Sequence, residues 1–176
     1  MKKKGFTLVE LIAAIAILAI VTSAIFPAFL TSVKIWSRGD LKLGTTTYAQ
    51  SIIETLKSQG ADKLKNMYSS ASGSSCYVYF DDNLTNFRVY NGSLSSPSDL
   101  LTWVKDSSTK LTGLVNENYI SCKDSSYSGG RKYGAYIFIK QSDATNKVYY
   151  ARIRVWNLQR QNGAETGSLR EIYLSR

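Results

Sequence analysis

The sequence predicts an α+β protein in which a long N-terminal helix lies, by its outer half, on a small antiparallel β-sheet. Three observations predict it. The stretch from Phe6 to Leu30 is apolar apart from a few small hydroxyl residues and holds one ionisable side chain, Glu10. A second stretch carries Tyr48, Ile52, Ile53 and Leu56 at helical spacing with Ala49 on the same side. From Cys76 onward the chain breaks into short β-rich runs divided by Ser/Gly/Asn segments.

The first stretch is long enough to span a membrane. At ~1.5 Å rise per residue a helix over Phe6–Leu30 reaches roughly 37 Å, more than the ~30 Å hydrocarbon core of a bilayer. Lys2, Lys3 and Lys4 precede it, and the positive-inside rule holds such a cluster on the cytoplasmic face. The expected topology is therefore a single pass through the cytoplasmic membrane with the C-terminal body outside. A secretory signal peptide fits less well. Its apolar region is only about 7–15 residues long and ends in a small-residue cleavage site, whereas this run continues past Pro27 as AFLTSVKIW.

Glu10 needs a reason to be there, because a carboxylate at the edge of hydrocarbon is costly and marks a functional position. One reading is a capping box: Thr7-Leu8-Val9-Glu10 has the S/T-x-x-E pattern that satisfies backbone donors at a helix start. That reading leaves Gly5-Phe6 unexplained. Taken together, Lys2-Lys3-Lys4-Gly5 followed by Phe6-Thr7-Leu8-Val9-Glu10 resembles the signal of type IV prepilins and pseudopilins: a short basic leader ending in glycine, then phenylalanine, then glutamate four residues on.

The resemblance implies cleavage by prepilin peptidase between Gly5 and Phe6, N-methylation of Phe6, and retention of the apolar helix in the mature chain. It implies partners as well, namely other pilin subunits in a homo- or hetero-oligomeric fibre. It also supplies Glu10 with a counter-charge, the new α-amino group of Phe6, offered by a neighbouring subunit shifted along the fibre. Such a desolvated pair contributes more to register than to net stability. The implied role is a subunit of a type IV pilus or of a related secretion or competence fibre, a minor pilin or pseudopilin rather than the major subunit. The chain would reside in the membrane before assembly and at the cell surface afterwards.

Pro27 would kink or open an uninterrupted helix at a cost of about 3 kcal/mol, so a bend near Phe26 is expected. In pilins a proline at this depth is associated with local melting on assembly. Gly39 and Gly44 weaken the next stretch, and the amphipathic helix is expected to end near Gly60. Beyond it, CYVYF (76–80) and FRVY (87–90) flank DDNLTN as a hairpin, and NGSLSSPSD (91–99) reads as a flexible loop. The clearest strands are YGAYIFIK (133–140) and KVYYARIRVW (147–156), followed by SLREIYLS (168–175). In the second of these, Tyr149, Ala151, Ile153 and Val155 alternate with Tyr150, Arg152, Arg154 and Trp156, so the first set suits the helix-facing side and the second the outer side. The expected organisation is a cleaved leader at 1–5, an assembly helix at 6–38, an amphipathic outer helix region at 39–68 and a β-rich domain at 69–176. Roughly 140 residues after the span suffice for one modest core and not two.

Composition narrows the chemistry. Lys and Arg number 22 against 13 Asp and Glu, and the net +9 falls to +6 without the three leader lysines. That balance serves solubility and also permits anionic partners. There is no histidine, which removes the commonest general base and metal ligand. No Ser or Cys nucleophile has a recognisable base, and no glycine-rich phosphate loop is present. The expectation is a non-enzyme without cofactor or metal; Asp81, Asp82 and Asn83 could offer oxygens to calcium but fall short of its six to eight ligands.

Two cysteines, Cys76 and Cys122, would lie in an oxidising compartment, where an even count suggests one disulfide, with two buried thiols as the alternative. In many pilins a disulfide closes a C-terminal segment; no cysteine follows Cys122, so that part of the pattern is absent. Arg152 and Arg154 between Tyr150 and Trp156 form a pattern able to stack bases and neutralise phosphates. It makes a DNA receptor or adhesin for a surface ligand the alternative function, with Arg131, Lys132 and Arg160 as outriders. A signal-anchored enzyme is the third reading.

Overall fold

The computed structural model describes residues 7–67, 72–90, 100–105, 113–124, 128–145, 147–160 and 163–175. The loop expected at 91–99 lies outside them. The chain forms two compact units, Met1–Asp40 and Leu41–Arg176. A long helix α1 (Leu8–Met67) contributes to both.

In the first unit α1 is helical from Leu8, as the unbroken run of Leu, Ile and Ala dictates. It runs through Pro27 with helical backbone angles, and the one non-helical residue within α1 is Gly60. Hydroxyl side chains in the apolar run are satisfied on their own turn: Thr22 donates to the Leu18 carbonyl at 2.8 Å, and Thr31 donates to the Pro27 carbonyl at 2.8 Å. This is how polar residues are tolerated in hydrocarbon.

The second unit is α1 from Leu41 onward, laid on a five-stranded sheet. Its strands are β1 (Ser74–Phe80), β2 (Arg88–Tyr90), β3 (Tyr133–Asp143), β4 (Val148–Asn157) and β5 (Ser168–Leu174). They run in the order β2-β1-β3-β4-β5, every pair antiparallel. A 3-10 turn at Asp82–Leu84 joins β1 to β2. Two short helices, α2 (Leu100–Lys105) and α3 (Tyr119–Lys123), lie in the crossover from β2 to β3.

The main core forms where the helical and strand periods meet. Ala49, Ile52, Ile53 and Leu56 of α1 pack on Cys76, Val78 and Phe80 of β1, on Ala135 and Ile137 of β3, and on Ala151 and Ile153 of β4. Burying a large aliphatic side chain stabilises by about 1.5–3 kcal/mol, so this stripe holds the helix on the sheet. Polar ties fix the register. Thr45 donates to the Thr166 carbonyl at 2.8 Å in a buried position, and Thr46 bonds Ser168 at 3.0 Å. Tyr48 packs its ring on Tyr133 at 4.7 Å, and its hydroxyl accepts from the Asn83 amide at 3.1 Å.

Gly60 corrects a boundary. It does not end the helix: with φ 76° it makes a kink, after which the chain turns helical again to Met67. The reason is the core, because Leu64 and Met67 beyond the kink are buried in the same cluster. A left-handed φ is accessible to glycine without a side-chain clash.

Candidate functional site

The N-terminal site begins with Thr7, since Gly5 and Phe6 lie outside the described residues. The Thr7 hydroxyl accepts from the Glu10 amide at 3.3 Å and stands 3.5 Å from a Glu10 carboxylate oxygen. Thr7 therefore caps the start of α1 as the S/T-x-x-E pattern anticipates. From Leu8 to Phe29 the large apolar side chains are exposed throughout; Leu8 is 75%, Ile20 70% and Phe26 63% accessible. An apolar surface of this extent is unstable in water and identifies a bilayer or protein-packing element. It is the one described helix long and apolar enough to cross a membrane.

The second site lies on the other face of the sheet. A small cluster of Tyr77, Tyr79, Cys122, Tyr136, Trp156 and Leu158 forms there, covered by α3 and the segment 113–118. Hydrogen bonds to β1 pin that segment. Ser75 and Val115 bond each other through the Ser75 hydroxyl at 2.7 and 3.0 Å, the Tyr77 hydroxyl donates to the Asn116 carbonyl, and Tyr79 donates to the Cys122 carbonyl at 2.9 Å. Asn118 then caps α3, its side chain accepting from the Ile120 amide at 2.8 Å.

Glu117, between the pinned segment and the cap, is thereby aimed at β4. It takes Arg152 through both carboxylate oxygens, at 3.0 Å to Nε and 3.2 Å to Nη2, and takes Arg154 Nη1 at 3.2 Å. Glu171 on β5, directly opposite Arg152 in register, stands 3.6 Å from Arg152 Nε and accepts from the Tyr150 hydroxyl at 2.6 Å. Burial and the adjoining Glu171 carboxylate push the Tyr150 phenol up to about 12, so it is a neutral donor at physiological pH.

These contacts revise the nucleic-acid expectation. Alternation on β4 is as expected, with Tyr149, Ala151, Ile153 and Val155 in the main core and Tyr150, Arg152, Arg154 and Trp156 on the opposite face. Both guanidinium groups, however, are partnered by carboxylates. Trp156 is 2% exposed; it meets Tyr119 at 6.4 Å and the Arg154 guanidinium at 5.7 Å. Arg131 and Lys132 are engaged in turn, by the Asn86 carbonyl at 3.1 Å and the Asp82 carboxylate at 2.8 Å. An open row of arginines between exposed rings is not what forms.

Asp81 and Asp82 are structural. Asp81 accepts from Asn86 Nδ2 at 2.8 Å and the Lys132 amide at 3.0 Å, and these donors hold its carboxyl below the usual range. The expected disulfide is also corrected. Cys76 and Cys122 are free, buried thiols: Cys76 points into the main core beneath α1 and Cys122 into the cluster on the far side of the sheet. The sheet itself stands between them. Burial raises both thiols, Cys122 to about 12, leaving them protonated and poorly nucleophilic.

Between Glu117 and β3, β4 and β5 lies an open surface depression of about 370 Å³, lined among others by Phe138, Lys140, Tyr150, Arg152, Glu171 and Tyr173.

A family model for the prokaryotic N-terminal methylation motif matches residues 1–26. This motif is the type IV pilin signal, and it covers the basic leader, the Gly5-Phe6 junction, Glu10 and most of the apolar run. No curated protein and no solved structure gives a significant match.

Proposed function

We propose, taking the type IV pilin signal as premise, that this chain is a subunit of a type IV pilus or of a related secretion or competence fibre, and a minor rather than the major subunit. The observation that carries the reading is the coincidence of the methylation motif at residues 1–26 with an apolar helix whose described side chains are all exposed through Asp40. A signal that is merely removed needs only about 7–15 apolar residues, and this run is longer.

The mechanism is assembly and not catalysis. Prepilin peptidase cuts between Gly5 and Phe6 and methylates the new amine, and the helix keeps the subunit in the cytoplasmic membrane with its C-terminal unit outside. Extraction into the fibre exchanges lipid for neighbouring helices, which preserves apolar contact and makes the transfer nearly neutral in hydrophobic energy. Glu10 then sets the stagger by facing the Phe6 amine of another subunit. Pro27, whose ring removes one backbone donor from the helix, is the position at which α1 opens on assembly. The chain itself acts without catalytic chemistry, cofactor or metal.

Cells lacking prepilin peptidase test the reading. There the chain is expected to stay in the membrane fraction at full precursor length and to be absent from sheared surface fibres, whereas in peptidase-competent cells it appears in both. Equal recovery from sheared material in the two strains would rule out a prepilin.

A further inference from the structure

The depression on the outer sheet face has no part in the assembly mechanism, and all its residues belong to the second unit. We infer that it is a binding site for a neutral saccharide.

The wall chemistry points to that class. Phe138, Tyr150 and Tyr173 bring aromatic rings together, with Tyr150 and Tyr173 centroids 5.1 Å apart at 50° and Phe138 and Tyr150 6.3 Å apart, edge to face. Tyr173 is 66% exposed, a large amphipathic side chain held at the rim of the site. Its ring offers an apolar face to the C–H side of a sugar. Lys140 supplies donors and the half-exposed Glu171 carboxylate acceptors, the Tyr150 hydroxyl being tied to Glu171 at 2.6 Å, while Arg152 and Glu117 are paired with each other. Neighbouring donors and acceptors at one site match the vicinal hydroxyls of a sugar ring, each of which both donates and accepts.

Charge excludes the competing ligands. The lining holds two cations and two carboxylates, so its net charge is zero. Arg152 is taken by Glu117 and faces Glu171, so an anion would have to displace those carboxylates. A quaternary ammonium would meet like-charge repulsion from Lys140, whose ammonium already stands 5.4 Å from the Tyr150 ring centroid. At about 370 Å³ the depression is small and open on one side, which suits a short saccharide held by one face.

The test uses the full chain in a detergent without a sugar head group, titrated calorimetrically with oligosaccharides of glucose, galactose, mannose and N-acetylglucosamine. Choline and a sulfated oligosaccharide are included as charged probes. The expected result is saturable binding of at least one neutral oligosaccharide, weakened about tenfold or more by Tyr173→Ala and by Glu171→Gln, with unchanged circular dichroism. Tyr173 is exposed, so its truncation tests the site without emptying the core. Failure of the whole neutral panel to saturate overturns the inference. So does binding that both variants leave intact, or saturation by choline or the sulfated probe alone. Because the readout is binding by the purified chain, it stands or falls separately from the fibre role.

Discussion

Replacing Glu10 with glutamine is expected to leave the subunit processed and abundant in the membrane while its recovery in sheared fibres falls about tenfold or more, the equivalent of at least 1.4 kcal/mol per subunit contact. The substitution keeps the side chain's size and removes its charge. Two explanations of Glu10 separate here. The Glu10 amide bonds the Thr7 hydroxyl at 3.3 Å, so a residue present only for capping would make Thr7→Ala as damaging as Glu10→Gln. Loss of an exposed N-cap costs about 0.5–2 kcal/mol of helix stability and alters no intersubunit charge. On the register reading Thr7→Ala assembles and Glu10→Gln does not. Quantitative blotting of membrane and sheared fractions distinguishes them, and equal assembly by both variants would remove Glu10 from the mechanism.

The second large effect lies in the core. Leu56 is fully buried where α1 meets the sheet, and Leu56→Ala is expected to cost about 2–5 kcal/mol through lost transfer energy and the cavity left behind. Against a total of about 5–15 kcal/mol for a domain that is a large fraction, corresponding to a fall in melting temperature on the order of 10 °C. Leu18→Ala removes the same atoms from a residue 62% exposed in the apolar run. It should leave the melting temperature of the second unit within about 0.5 kcal/mol equivalent. If the two substitutions destabilised that unit alike in a thermal melt followed by circular dichroism, the helix–sheet core would be misassigned.

Much of this architecture was legible in the chain because its signals are local and periodic. Val, Ile and Tyr alternating with Arg along β4 gave both the strand and its two faces, since side chains on a strand alternate strictly. Ile52, Ile53 and Leu56 gave the helix face in the same way. Elements without a period were missed: α2 and α3, six and five residues long, are too short for helical spacing to register.

The outer-face network was hidden for a different reason. Glu117 sits in an irregular segment 35 residues before Arg152, and only the hydrogen bonds of Ser75 and Tyr77 to that segment bring it over β4. Arginines among aromatics therefore read as an open basic face, when their partners were simply distant in sequence. Cysteine counting failed similarly. An even number says nothing of which side of a sheet each thiol faces, and Cys76 shares its side with Val78 and Phe80 while Cys122 lies across from them. By residue type Gly60 marks a helix end, but Leu64 and Met67, buried beyond it, make resumption of the helix favourable.

On the proposed fibre role, the N-terminal segment is a processed prepilin signal whose apolar helix stays in the mature subunit. Intact-mass spectrometry of the chain purified from its native membrane or fibre tests this most directly. The expected mass is lower by residues 1–5 and higher by one methyl group, carried by Phe6. An intact N-terminus in cells with active prepilin peptidase, or a cut near Ala24 or Ala28 that discards the helix, would contradict it.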